Sequence, residues 1–376
     1  MLYDPAQFEP LSDEPWDPAR VHDSIAAICA DAADSFDPDE LWPAHEWDAG
    51  DTPLPLENLY VGASGVIWAL DRLGRGGHAE TPLDLAAAAG RALELIRAEP
   101  DIEPGEDHYH PASLFFGETG PLVVACRLTD DAVLAEEILK LLPTSAENPT
   151  DDVMWGIPGA LIALAGEPRW ADTARELATE LRSRRGDDGL WRQDDDYRGL
   201  GTLHGAAGNT LALHAVEPNE TLRAETAALL ARHAVREDGL ANWPGAPGRP
   251  VERLQWCTGA PGILAGAWDY LDEELVVAGA ELIWGAGAHT DEKGHGLCHG
   301  TAGNGFGLLK AFARTGDELW LERARRFAAH ALQQSDRIAA ANGRRRYSLF
   351  TGDIGTALFA AACLDADASF PVLDVL

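Results

Sequence analysis

The feature that most constrains the fold of this chain is a short element that occurs seven times. Each copy reads Gly-x-x-Gly and leads into an apolar run such as VIWAL, ALIAL or ILAGA. The copies begin at Gly62, Gly117, Gly156, Gly205, Gly259, Gly300 and Gly352, so that neighbouring copies are 39 to 55 residues apart. Each interval is long enough for two helices with their loops, and recurrence at this spacing indicates a repeat architecture.

A second set of helical segments lies between the glycine elements. These segments mix apolar positions at helical spacing with Arg and Glu, and they cover 83–98, 131–142, 170–184, 220–236, 273–284 and 317–333. The runs that follow the glycines are apolar nearly all round, which indicates buried helices. The chain is therefore predicted to be all-α, an α/α toroid with seven inner helices and a half-polar outer ring of seven.

The toroid is predicted to occupy residues 51–376 as a single domain. Residues 1–50 are acidic and contain Trp16, Trp42 and Trp47. They are expected to form an N-terminal extension that packs over the toroid as a helical cap.

The inner helices of such a barrel begin at one end, where their dipoles favour anions. The residues just before each glycine element should line this mouth. His204 and His299 stand one position before the glycine in repeats four and six, and Cys257 and Cys298 stand two positions before it in repeats five and six. The repeat alone therefore predicts that these four side chains face the same mouth.

Two cysteines and a histidine form a ligand set for zinc. Three protein ligands leave the fourth position open, as in catalytic zinc sites, whereas a fourth ligand such as His295 would indicate a structural site. The remaining histidine, His204, titrates near neutral pH and is a candidate acid or base beside the metal.

The charge of the chain excludes several classes of partner. Asp and Glu number 62 against 29 Lys and Arg, which gives a net charge of −33. Nucleic acids and anionic membranes are bound by clustered Lys and Arg, so neither is an expected partner. The chain has no apolar run near the roughly 20 residues of a membrane helix, so membrane insertion is not expected. Its first residues are acidic and lack a basic segment followed by an apolar one, so we expect no signal peptide and a cytoplasmic location.

Three cysteines lie outside these frames. Cys29, Cys126 and Cys363 have apolar, Ala-rich neighbours and are expected to be buried and unreactive. The acidic run 194–196 is expected to be a solvated loop and not a magnesium site.

The segments WCTGAPGI, GLCHGTAGNGF, LHGAAGN and YSLFTGDIGTALFAA resemble the lanthionine synthetase C-like family, which comprises the lantibiotic cyclases and their eukaryotic LanC-like relatives. The resemblance covers all seven repeats, roughly residues 58 to 364. It implies an α/α toroid, one catalytic zinc ion, and the addition of a thiol to a dehydroamino acid.

The resemblance places the zinc ligands of the family on Cys257, Cys298 and His299 and its catalytic histidine on His204. Coordination by zinc would deprotonate the substrate thiol. The thiolate would then attack the β-carbon of dehydroalanine or dehydrobutyrine, and His204 would protonate the resulting enolate at the α-carbon.

The resemblance also implies an acid at Asp152, which would orient His204, although the neighbouring Asp151 is an alternative. It places an arginine at Arg253, which would stabilise the enolate oxygen, and a substrate-contacting tryptophan at Trp256. Cyclases often have Tyr after the first zinc cysteine and eukaryotic relatives have His. Thr258 occupies this position here, so a hydroxyl is retained and a ring is not.

Three functions are compatible with these residues. The first is a peptide cyclase, which closes thioether rings within a dehydrated peptide or protein that a separate dehydratase supplies. The second adds glutathione to dehydroamino acids, with Lys293 as a contact and Arg345 or Arg346 as a second cation. The third is a non-enzymatic zinc protein that binds peptides, which the presence of His204 argues against. An α/α-barrel glycosidase would need paired carboxylates at the mouth, where Cys and His stand instead.

Overall fold

The computed structural model describes residues 1–49, 55–103, 105 and 108–376. In chain order, its helices are α1 (Pro18–Asp34), α2 (Glu46–Ala49), α3 (Ala63–Arg75), α4 (Leu85–Ala98), α5 (Thr119–Thr129), α6 (Ala132–Leu141), α7 (Ile157–Leu164), α8 (Ala171–Ser183), α9 (Ala206–Val216), α10 (Glu220–His233), α11 (Ala260–Ala267), α12 (Glu273–Ala286), α13 (Thr301–Thr315), α14 (Glu318–Asn342) and α15 (Asp353–Asp365). The strands are short: β1 (Phe8–Glu9), β2 (Val235–Glu237), β3 (Leu240–Asn242) and β4 (Ala288–His289). None of the described helices is both long and apolar enough to span a membrane.

The predicted toroid is confirmed. The odd-numbered helices from α3 to α15 form the inner ring, and each begins one or two residues after the first glycine of an element. The even-numbered helices from α4 to α14 form the outer ring, each packed against a neighbouring inner helix. Helix α15 packs against α3, so the inner ring closes.

The second glycine of each element is required because two backbone segments approach closely there. In all seven repeats, a Cβ at this glycine would lie 2.7 Å or less from the carbonyl oxygen of the residue six positions earlier. Real side chains do not tolerate such a distance. The Gly-x-x-Gly pattern therefore lets each mouth loop fold tightly onto the first turn of its own helix.

Helix α14 ends at Asn342, nine residues beyond the predicted end. The helix continues past Gln333 because the polar groups of Gln334 and Ser335 are hydrogen-bonded inside the protein. The Gln334 side chain donates to the carbonyl oxygen of His289 (2.8 Å), and the Arg345 guanidinium donates to the Ser335 hydroxyl (2.9 Å).

The N-terminal part contributes to the ring itself. Helix α1 buries Val21, Ile25, Ile28 and Cys29 and packs against α14 and α15. It thereby takes the outer position beside the seventh inner helix, where the described part of the repeats has no outer helix. Strand β1 pairs antiparallel with β4. The predicted boundary at residue 50 lies outside the described residues, and the division into extension and domain stays a prediction.

Candidate active site

Backbone hydrogen bonds connect the mouth loops of successive repeats. The Cys257 amide donates to the Cys298 carbonyl (3.4 Å), the Cys298 amide to the Phe350 carbonyl (2.7 Å), and the Phe350 amide to the Tyr60 carbonyl (3.1 Å). These bonds run from repeat five through repeats six and seven to repeat one. They place Cys257 and Cys298 side by side at the mouth.

The two positions before each glycine differ in exposure. The more distant position is buried in every repeat: Tyr60, Phe115, Met154, Leu203, Cys257, Cys298 and Phe350. The nearer position is half-buried in repeats two to seven: Phe116, Trp155, His204, Thr258, His299 and Thr351. Polar side chains thus line the mouth in repeats four to seven. In repeats two and three the Phe116 and Trp155 rings stack with centroids 5.1 Å apart.

Cys257, Cys298 and His299 form the candidate metal centre. Their ligand atoms all lie within 4.8 Å of one another, and His299 Nε2 is 3.3 Å from Cys298 Sγ. Two sulfurs and an imidazole nitrogen at this spacing fit a tetrahedral zinc ion. His295 is not part of the group, because its Nδ1 lies 2.8 Å from Thr356 Oγ1. Among the described residues the group has three ligands, which leaves a fourth position open.

The surroundings of the two sulfurs differ. Hydrogen bonds from the Cys298 thiol and from His299 lower the pKa of Cys257 well below its ordinary value, although burial opposes this. The buried Gln255 amide also donates to Cys257 Sγ, at 2.8 Å. Burial and the neighbouring Cys257 raise the pKa of Cys298 well above its ordinary value, so of the two sulfurs Cys257 is the one favoured as a thiolate, the form that binds a metal.

His204 and Asp152 are hydrogen-bonded across the mouth. His204 Nδ1 donates to Asp152 Oδ2 at 2.7 Å, and the other carboxylate oxygen accepts the Trp155 amide at 2.8 Å. Asp151 faces away and binds the Arg184 guanidinium at 3.1 Å. Burial lowers the pKa of His204, but the charge and hydrogen bond of Asp152 outweigh it, so the pKa is raised above its ordinary value.

The His204 side chain is 30% exposed, whereas that of Asp152 is 1% exposed. Since Nδ1 is engaged, Nε2 is the nitrogen that remains for a ligand. The pair can hold a proton on a fixed, accessible imidazole.

The other residues predicted for the site lie in different environments. Arg253 and Lys293 are exposed, and neither forms an ion pair with a described residue. Thr258 is half-buried at the mouth. Trp256 is fully buried and stacks on Phe370 with centroids 4.9 Å apart, and its predicted contact with a substrate stays a prediction.

The two arginines considered as a second cation are already paired. Arg345 binds Asp353 (3.0 Å) and Asp336 (2.6 Å). Arg346 binds Asp48 of α2 through its Nε at 2.6 Å, and the Thr351 hydroxyl donates to the same carboxylate at 2.7 Å. The N-terminal part therefore reaches the mouth at repeat seven.

Sequence reasoning missed three residues near the metal centre. The Gln255 side chain donates a hydrogen bond to Cys257 Sγ. Burial raises the pKa of Tyr60, and the nearby charges of Cys298 and Cys257 raise it further. Tyr60 occupies the same repeat position as the two cysteines, which is a signal the sequence contains. The third, Tyr197, comes from a loop between repeats and has no such signal.

Comparison with known proteins is consistent with this geometry. The family model described as lanthionine synthetase C-like protein matches residues 56–375. The chain belongs to this family. The solved structure of nisin cyclase has the same fold, with a TM-score of 0.61 and 15% sequence identity over 84% of this chain and 91% of that one.

Two curated relatives match parts of the chain. Glutathione S-transferase LANCL1 of Danio rerio is 36% identical over 132 residues, 32% of this chain and 31% of the relative. LanC-like protein GCL1 of Arabidopsis thaliana is 28% identical over 198 residues, 48% of this chain and 45% of the relative. The chain thus spans less than half the length of these relatives.

Proposed function

We propose that this protein adds a thiol to dehydroalanine or dehydrobutyrine residues of a dehydrated peptide or protein and so forms a thioether bond. Cys257, Cys298 and His299 would hold one zinc ion. The observation that carries the proposal is that this three-ligand group shares its mouth with His204, whose imidazole Asp152 fixes in place. Membership of the lanthionine synthetase C-like family supports the same chemistry.

Thiol addition first requires a nucleophile at neutral pH, which a metal ion would provide. A free cysteine thiol has a pKa near 8.5 and is mostly protonated at pH 7. When bound, a zinc ion supplies the positive charge that keeps a coordinated sulfur in the thiolate form.

Thiol addition also requires a proton for the product, which His204 would donate. Attack of the thiolate forms the C–S bond at the β-carbon, breaks the carbon–carbon π bond, and moves the electron pair onto the carbonyl oxygen as an enolate. His204, whose pKa Asp152 raises, then donates a proton from Nε2 to the α-carbon. Arg253, whose charge no described residue neutralises, would stabilise the enolate.

The mouth offers an apolar surface for the peptide around the dehydroamino acid. Phe116 and Trp155 present a half-buried aromatic surface next to His204 in the ring of repeats. Such a surface suits the side chains that flank a dehydroamino acid in a peptide. Ring closure within one such peptide is the first candidate.

Addition of glutathione is the second candidate. It is supported by the similarity to a protein named Glutathione S-transferase LANCL1 and by the exposed Lys293, which can bind a carboxylate. The pairing of Arg345 and Arg346 with carboxylates of this chain reduces the positive charge available for a second contact.

The test uses the zinc-loaded protein and a peptide that contains both a dehydroalanine and a cysteine. Loss of the free thiol, measured by alkylation and mass spectrometry, would show ring closure. With glutathione present and a peptide that lacks cysteine, a mass increase of one glutathione would show the second reaction. If neither product forms above the rate without protein, the proposal is wrong and a non-enzymatic peptide-binding role is favoured.

A further inference from the structure

The loop between α8 and α9 carries Tyr197 to the mouth on a tight turn. The Asp194 amide donates to the Tyr197 carbonyl at 3.2 Å, and the three acids of the turn, Asp194, Asp195 and Asp196, are exposed as predicted. The loop is held to the catalytic region, because the Gln193 side chain donates to the carbonyl oxygen of Asp151 at 2.8 Å. Tyr197 is therefore fixed relative to the neighbouring Asp152.

The Tyr197 hydroxyl lies beside Thr258. A Cβ at Gly245 would be 2.7 Å from the hydroxyl oxygen and 3.5 Å from Thr258 Cγ2, so both side chains approach the same point of the backbone. Tyr197 is half-buried, and its hydroxyl forms no hydrogen bond with any described residue. A donor at the mouth is thus left free for a ligand.

The charges around this hydroxyl belong to the candidate site. Burial raises the pKa of Tyr197, and the charges of Cys257 and Asp152 raise it further against the opposing effect of Arg253 and Arg249. The phenol accordingly keeps its proton at neutral pH and can donate a hydrogen bond.

We propose that Tyr197 donates a hydrogen bond to the substrate carbonyl oxygen on which negative charge develops, and so supplies the phenol that Thr258 lacks. This inference rests on the proposed thiol addition and assigns it a further catalytic residue. The phenol transfers no proton in this role. It stabilises the enolate from a preformed position, which is where such donors act most strongly.

The first variant is Tyr197→Phe, with Tyr270→Phe as the matched control. Both remove a hydroxyl that has no hydrogen-bond partner among the described residues, but Tyr270 lies at the far end of α11, away from the mouth. Tyr197→Phe should lower kcat about 100-fold, the usual effect of removing one such donor, and change KM little. Zinc content should equal that of the wild type in both variants, and Tm should fall in neither, since the buried Tyr270 hydroxyl has no partner to lose.

A second variant moves the phenol without removing it. Gly245→Ala places a methyl group against the hydroxyl, which must shift, whereas the control Gly285→Ala meets no atom within 4 Å. We expect lower kcat for Gly245→Ala alone. The double variant Tyr197→Phe with Thr258→Tyr should regain part of the activity, because it returns a phenol to the mouth from the neighbouring position.

The outcomes separate two kinds of failure. An active wild type with an equally active Tyr197→Phe overturns the role of Tyr197 and leaves the proposed function intact. An inactive wild type, assayed with zinc and dehydropeptide, overturns the proposed function and this role with it. A fall in Tm or zinc content that accounts for the lost activity of Tyr197→Phe would show a structural role instead.

Discussion

His204 and Asp152 are 52 residues apart in sequence, yet their side chains form a hydrogen bond of 2.7 Å at the mouth. The second oxygen of the carboxylate accepts the Trp155 amide, so Asp152 cannot rotate without breaking its own turn. One carboxylate thus shapes the third mouth loop and orients the imidazole of the fourth.

Asp152→Asn should move the alkaline limb of the activity profile to lower pH. In the folded protein Asp152 raises the pKa of His204. The protonated pair therefore stabilises the fold fully below the ordinary histidine pKa, and this stability is lost as pH rises through the raised pKa. Without the charge, burial lowers the pKa, and less His204 is protonated at pH 7. Asp151→Asn, which affects the Arg184 pair, should leave the limb in place; equal shifts in both variants would contradict the assignment.

His204→Ala should keep the fold and the metal and lose activity. Removal of a general acid usually lowers the rate by about 100-fold or more. His214→Ala is the control and should be fully active, because His204 precedes the first residue of α9 whereas His214 lies near its other end. Steady-state rates with a dehydropeptide test this, and an unchanged rate for His204→Ala would remove it from the mechanism.

Cys257→Ala and Cys298→Ala should each lose the bound zinc, because two protein ligands remain where three are needed. Cys363→Ala removes an equally buried sulfur away from the group and should retain about one zinc per chain, as the wild type should. Elemental mass spectrometry of the purified proteins measures this. Full zinc occupancy in Cys298→Ala would show that the ligand set is misassigned.

Lys293→Met should show whether Lys293 serves the reaction with glutathione or the reaction with a cysteine of the peptide. If the exposed Lys293 ammonium binds a glutathione carboxylate, its loss should raise KM for glutathione about tenfold and leave ring closure within a peptide unchanged. Lys140→Met makes the same change on an exposed residue of the outer helix α6 and should alter neither reaction. Equal effects of Lys293→Met on both reactions would argue against a glutathione contact.

Gly303→Ala should destabilise the fold through the metal loop. Its Cβ would collide with the carbonyl oxygen of Leu297, next to Cys298, at a cost of about 1–3 kcal/mol. Gly90→Ala in α4 meets open space and should stabilise the protein by roughly 0.5–1 kcal/mol. Urea unfolding of the two variants measures this difference. Similar stabilities would contradict the close-approach explanation for the glycine elements.

Because of the seven-fold repeat, most residues of the candidate site can be predicted from the sequence alone. Residues at the same position in successive repeats have the same local backbone, so their side chains point to the same end of the ring. The positions of Cys257, Cys298, His299 and His204 follow from this, and so do the inner helices, whose apolar surfaces have to be buried. The same rule places Tyr60 at the mouth, because it occupies the repeat position of the two cysteines.

Tertiary structure decided what lies between the repeats. Asp151 and Asp152 are chemically alike, and only the packing of Arg184 and His204 determines which carboxylate faces the mouth. The seventh outer helix is α1, from the opposite end of the chain, because the ring closes there. Tyr197 reaches Thr258 on a loop whose path is set by contacts to Asp151 and Gly245, residues distant in sequence. The local sequence pattern determines which way a side chain points within its repeat. The path of a loop and the partner of a carboxylate depend on contacts between residues distant in sequence, which no local pattern contains.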